Sequence, residues 1–187
     1  MEVRILLAPP IASVPSADET DERFMRLALH QARKAEAAGE VPVGSVVVFE
    51  NRVIAEGYNL RESSQDPTDH AECIAMRRAA SALGSWRLIG CTVYVTLEPC
   101  PMCAGVAVNA RVDRVVWGCD DPKAGALRSL YQIGTDSRLN HTFLQAGGVC
   151  ADESAELLKS FFGRIRSKKQ SAIAASAIPV TEHHRLK

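Results

Sequence analysis

The apolar residues of this chain change period several times along its length, and each change predicts an element. Phe24, Leu27, Ala28, Gln31, Ala32 and Ala35 fall on one face of a helix, which residues 18–21 can cap and Gly39 can end. A β-branched run over residues 43–49 predicts a strand, and its unbroken apolarity predicts burial on both faces. Residues 52–58 predict a second strand, with Glu50-Asn51 as the hairpin turn between the two. The turn-rich stretch Ser63-Ser64-Gln65-Asp66-Pro67 then leads to His70.

Residues 71–83 read as a helix ended by Gly84. Over residues 91–97 Val93 and Val95 alternate with Thr92, Tyr94 and Thr96, so a strand leads into a short helix opened by Pro101. The next strand falls over residues 112–118, which makes strand, helix and strand a right-handed crossover unit. Residues 120–140 form a loop long enough to suggest function. A short apolar piece over 142–146 precedes a last helix over about 152–165.

With 187 residues, 47% of them hydrophobic, the chain supports one globular domain over residues 21–169. Residues 1–20 read as a flexible extension, because Pro9-Pro10 interrupts the Ile5-Leu6-Leu7-Ala8 patch, and residues 170–187 read as a flexible tail. Lys and Arg number 22 and Asp and Glu 22, so a nucleic-acid partner would have to be held by a local patch. Arg164, Arg166, Lys168 and Lys169 form such a cluster, which a solvated helix end explains equally well. No apolar run approaches the roughly 20 residues needed to cross a bilayer. The six cysteines form no small-domain disulfide framework, and the expectation is a reducing, cytoplasmic setting.

Two stretches carry the chemistry: His70-Ala71-Glu72 and Pro99-Cys100-Pro101-Met102-Cys103. One turn of helix can bring Cys100 and Cys103 to a single zinc ion, and His70 supplies a third ligand from elsewhere in the fold. Three protein ligands leave a fourth position for water, and Glu72 is then free to move protons. Both stretches should also start helices, whose positive ends would favour the thiolate forms. Cys73 leaves a second arrangement open, a closed site of His70, Cys73, Cys100 and Cys103. Its alternative is a small buried hydrophobe beside Ile74 and Met76. Of the other histidines, His30 reads as a surface or packing residue and His141 as a loop hydrogen-bond partner, while nothing fixes His183-His184.

The H-x-E and P-C-x-x-C pair is shared by zinc-dependent nucleobase deaminases. Residues 22–169 resemble one family in particular, the tRNA-specific adenosine deaminases, which convert the wobble adenosine of an anticodon to inosine. The resemblance is carried by Glu40-Val41-Pro42-Val43-Gly44, Asp66-Pro67-Thr68-Asp69-His70-Ala71-Glu72, Thr96-Leu97-Glu98-Pro99-Cys100-Pro101-Met102-Cys103-Ala104-Gly105 and Asp121-Pro122-Lys123-Ala124-Gly125-Ala126. Phe161-Phe162 with a basic end fits as well.

This resemblance implies an α/β protein with a three-layer α/β/α cytidine deaminase-like fold, a central mixed sheet of about five strands, and assembly as a homodimer. It makes His70, Cys100 and Cys103 the ligands of one zinc ion per subunit and Glu72 the proton shuttle. It makes Asn59 a hydrogen-bond partner of the flipped adenosine and places Asp121 and Lys123 beside the tRNA anticodon stem-loop. A free-base or nucleoside deaminase acting on guanine or cytosine would carry the same zinc and glutamate. A non-catalytic zinc-containing tRNA-binding subunit would be expected to lack the glutamate present at position 72.

Overall fold

A computed structural model describes residues 17–176. The Ile5-Leu6-Leu7-Ala8 patch and His183-His184 lie outside the described residues. The elements run α1 (Ala17–Ala37), β1 (Gly44–Phe49), β2 (Arg52–Tyr58), α2 (Arg61–Ser64), α3 (Ala71–Leu83), β3 (Cys91–Leu97), α4 (Pro101–Ala110), β4 (Arg114–Cys119), a 3₁₀ turn (Ile133–Thr135), β5 (Leu144–Gly147) and α5 (Ala151–Ser176). Glu50 and Asn51 both take positive φ, 47° and 61°, which matches the right-handed twist of the β1–β2 hairpin.

The strands form one mixed sheet in the order β2-β1-β3-β4-β5. β1 is antiparallel to both β2 and β3, whereas β3, β4 and β5 run parallel. The C-terminal ends of β2, β3 and β4 therefore meet at one edge, where open α/β sheets place their ligands. The segments leaving these ends contain Asn59, Cys100 and Asp121.

Alternate side chains on each strand enter two separate cores, giving three layers. Val47, Val93, Val95, Val115 and Trp117 pack with Ala75, Met76, Ala104 and Val108 of α3 and α4. On the opposite face Val46, Val48, Tyr94 and Val116 meet Phe24, Met25 and Ala28 of α1. Arg164 of α5 pairs with Glu36 of α1, so the two helices share that face. Gly57 allows α3 to lie against β2: an added Cβ would stand 2.4 Å from the Ala71 carbonyl oxygen and 2.8 Å from the Ala75 nitrogen. That contact fixes the start of α3, and with it His70.

Several sequence expectations need correction. α1 begins at Ala17, within the stretch expected to be an extension, and Asp21 turns inward instead of capping it. Leu27 is exposed, while Met25 and Leu29 are buried in its place. β3 is covered on both faces, since Tyr94 and Thr96 are buried with Val93 and Val95. Tyr94 tolerates this because its hydroxyl donates to Asp21 Oδ1 at 2.8 Å. A short helix, α2, occupies part of the loop before His70. α5 runs to Ser176, past the expected end near residue 165, because its Lys, Gln and Ala residues favour helix without needing a buried face. No helix among the described residues is long and apolar enough to cross a membrane.

Candidate metal centre and active site

Two helix starts build the centre of the site. His70 is the N-cap of α3 and Cys100 the N-cap of α4, both in extended backbone, and Pro101 follows at the first helical position. Neither side chain caps its own helix, so both remain available to a ligand. Cys103 sits one turn into α4 and is almost fully buried. Cys100 Sγ lies 3.7 Å from His70 Nδ1 and 3.7 Å from Cys103 Sγ, and Cys103 Sγ lies 3.6 Å from His70 Nδ1.

A tetrahedral ion with metal–sulfur bonds of about 2.3 Å and metal–nitrogen bonds of about 2.0–2.1 Å separates its ligand atoms by about 3.6–3.8 Å. The triangle formed by His70, Cys100 and Cys103 therefore fits zinc without rearrangement. Cys73 Sγ approaches Cys103 Sγ at 3.7 Å, but Cys73 is not part of the set whose ligand atoms all lie within 4.8 Å of one another. The geometry thus favours the three-ligand site over the closed four-ligand one.

The three groups of the triangle perturb one another's protonation. Contact with the Cys103 thiol, opposed by burial and reinforced by His70, pulls the Cys100 thiol down to about 4. Cys103 is pushed up by its contacts with Cys100 and Cys73 and by burial. His70 is raised, first by its bond to Cys100 and against the effect of burial. Burial pushes the Glu72 carboxyl up, only partly offset by a backbone hydrogen bond and the His70 charge. Raising the carboxyl favours its protonated form, so it can hold a proton as well as accept one.

The triangle opens into a cavity of about 560 Å³, within the range of small-ligand sites. His70, Glu72 and Cys100 line its floor, with Asn59, Asp121 and Lys123 around it. All the residues expected at the site are therefore brought together. Asn59 is buried and its Nδ2 donates to Glu40 Oε2 at 3.4 Å. Asp121 Oδ1 accepts from the backbone N–H groups of Lys123, 2.9 Å, and Ala124, 3.2 Å, so it also shapes the turn that carries Lys123. Leu158 and Phe162 of α5 supply an apolar wall.

Arg61, Leu158, Glu40 and Glu98 also belong to the site, although no motif in the chain assigns them a role there. Arg61 and Leu158 line the cavity. Glu40 accepts from the backbone of Ser63, 2.6 Å, and Glu62, 3.2 Å, and holds the turn beyond Asn59. Burial raises the Glu98 carboxyl, but bonds from the Ser129 hydroxyl and from the Ser129, Arg128 and Asp121 amides outweigh it and hold it low. The available signal was an acid next to a proline motif, Glu40-Val41-Pro42 and Glu98-Pro99. His141 Nε2 lies 2.8 Å from the Val112 carbonyl, away from the triangle, and His30 is exposed.

A thiolate–imidazole triangle beside a buried glutamate, at the strand ends of a three-layer α/β/α sheet, defines a zinc-dependent deaminase. Residues 18–119 match the family model described as the cytidine and deoxycytidylate deaminase zinc-binding region. The tRNA-specific adenosine deaminase of Bacillus subtilis is 46% identical over 152 residues, covering 81% of this chain and 94% of that protein. The enzyme of the same name from Haemophilus influenzae is 46% identical over 153 residues, covering 81% and 88%. A structure solved in work on A-to-I editing by tRNA:A34 deaminases superposes with a TM-score of 0.70 at 43% identity, covering 73% of this chain and 99% of that one. The chain belongs to the tRNA-specific adenosine deaminase family.

Proposed function

We propose that this protein hydrolyses the wobble adenosine of a tRNA anticodon to inosine, with His70, Cys100 and Cys103 holding one zinc ion and Glu72 moving the protons. The observation that carries this reading is the 3.6–3.7 Å triangle opening, with buried Glu72, into a nucleoside-sized cavity. Zinc, when bound, supplies Lewis acidity that brings the pKa of a coordinated water to about 7.

The chain's own residues do the rest. Glu72 accepts a proton from the attacking water and delivers it to N1 of adenine as the oxygen adds to C6. A second transfer through the same carboxylate, from the new hydroxyl to the amino group, lets ammonia leave, so water and adenosine become inosine and ammonia. Asn59, oriented by Glu40, hydrogen-bonds the base, and the Asp121–Lys123 turn borders its flanking nucleotides. Leu158 and Phe162 exclude water along the wall that α5 forms.

An anticodon loop is the substrate this chemistry needs, because a base must leave its stack to be deaminated and loops offer unstacked bases. The protein acts as a homodimer in the cytoplasm. Leu130 and Tyr131, 52% and 55% exposed, support a face for a second copy, and six free cysteines suit a reducing compartment. The test compares a wobble-adenosine stem-loop, the same sequence made linear, and free adenosine, sequencing the RNA for inosine. Strong preference for the stem-loop supports the reading, and equal efficiency on free adenosine sinks it.

A further inference from the structure

The segment 121–129, which carries Asp121 and Lys123, has no regular secondary structure, yet a single buried side chain gathers it. Glu98, 2% exposed, lies at the end of β3, two residues before Cys100. Its Oε1 accepts from the backbone N–H groups of Leu127, 3.1 Å, Arg128, 2.7 Å, and Ser129, 2.9 Å. Its Oε2 accepts from the Asp121 N–H at 3.1 Å and from the Ser129 hydroxyl. Both ends of this segment, Asp121 and residues 127–129, therefore converge on one carboxylate.

The same junction is stapled along the backbone, where Glu98 N–H donates to the Cys119 carbonyl at 2.9 Å and Ala126 N–H to the Pro99 carbonyl at 2.8 Å. Gly125 passes so close that an added Cβ would stand 2.2 Å from Glu98 Oε2 and 2.4 Å from its carboxyl carbon. A buried carboxylate surrounded by four backbone N–H groups makes charge-assisted bonds, which hold geometry more firmly than neutral ones. Since Pro99 joins Glu98 directly to Cys100, hydrogen bonds and one short stretch of chain connect the loop to the metal-ligand segment.

We propose that Glu98 is a positioning residue that sets the substrate loop, through Asp121 and Lys123, at a fixed place relative to the metal triangle. This rests on the reading of the site as one that takes an anticodon stem-loop. Glu98 touches neither base nor metal, and its effect runs through the loop's interactions with RNA. Such interactions are made in ground state and transition state alike, so removing them appears in KM more than in kcat.

Glu98→Gln tests this, because the amide that replaces Oε2 faces the Asp121 N–H with a second donor. The zinc-loaded variant is expected to keep its metal and its cooperative melting and to raise KM for the stem-loop roughly tenfold, with kcat within about threefold. Hydrogen exchange in the free protein should accelerate at amides 121–129 and stay unchanged in β1. A purely structural role would lower the active fraction, hence kcat, and leave KM alone. Gly125→Ala reads the same junction from the loop side, should Glu98→Gln not retain zinc. An unchanged KM or unchanged loop exchange in the variant that retains zinc overturns the inference. So does zinc loss in both variants, since the junction would then belong to the metal fold itself. Failure of the RNA reading is told apart by an inactive wild type, while the exchange rates are read without RNA.

Discussion

Cys73 Sγ stands 3.7 Å from Cys103 Sγ, so a thiol outside the metal triangle touches its most buried member. Cys73 enters the core from α3 beside Ile74 and Met76 and acts on Cys103 from the protein side. It is thus placed to pack against a ligand and not to replace the water at the open position.

Cys73→Ser should therefore keep one zinc per chain and most of the activity. Zinc content after gel filtration checks this, and affinity should change by less than the 10–100-fold typical of removing a hydrogen-bond partner of a metal ligand. Loss of the metal in this variant would restore the closed four-ligand site.

Glu72→Ala should bind zinc and fold as the wild type does, yet deaminate about 10²–10⁴-fold more slowly, the range of a missing general acid and base. The carboxylate lies outside the set of ligand atoms that converge on the triangle. Single-turnover assays with saturating stem-loop check this. An unchanged rate would remove Glu72 from the proton path.

The chemistry of the site was legible because it is local in sequence: His70 and Glu72 are neighbours on one turn, as are Cys100 and Cys103. The β1–β2 hairpin was legible for the same reason, since Glu50-Asn51 tolerates the positive φ that the turn demands. What escaped depends on distant partners. Asp21 has the composition of a helix cap, and only the fold brings it to Arg114, 93 residues away, and Tyr94, 73 away. The Glu98-Pro99 pair marks that acid in the sequence, but only the fold brings to its oxygens amides 23 to 31 residues downstream. Tyr94 and Thr96 mimic an outward-facing polar alternation, and the second helical layer that buries them is set by α1.

Asp21 binds Arg114 through both carboxylate oxygens, at 2.7 Å each, beneath α1. Burial opposes its ionisation, but the Arg114 and Tyr94 bonds overcome it and hold the carboxyl below its ordinary range. A depressed folded value means the stabilisation is present above the unfolded pKa of about 3.9 and is lost as pH falls through the lower folded one. Asp21→Asn should cost about 3 kcal/mol at pH 7, the lower end for a broken buried pair because Arg114 is partly exposed. Denaturant melts from pH 7 to pH 3 should show the gap between variant and wild type narrowing below about pH 4. A gap constant with pH would mean that the pair does not carry the charge effect.

The basic residues of α5 do not act as one cluster. Successive residues turn by about 100° around a helix, which places Arg166 and Lys169 on the stripe begun by Leu158 and Phe162 at the cavity wall. Arg164 lies on the other side of the helix, bound to Glu36 of α1 and, at 2.7 Å, to Ser160. Lys169 stands about 10 Å along the axis beyond Phe162, a reach suited to phosphates next to the base in the cavity. Reversing Arg166 and Lys169 to Glu should weaken stem-loop binding and flatten its dependence on salt, by roughly 0.7 in slope for each phosphate no longer neutralised. Arg164→Glu should instead loosen α5 from α1, lowering thermal stability while leaving the slope as it is. Titrations of a labelled stem-loop against the Glu72→Ala protein at several salt concentrations separate the two. An unchanged slope in the Arg166 and Lys169 variant would make these cations a solvated helix end, and a flattened slope in Arg164→Glu would undo the division of the helix into an RNA face and a docking face.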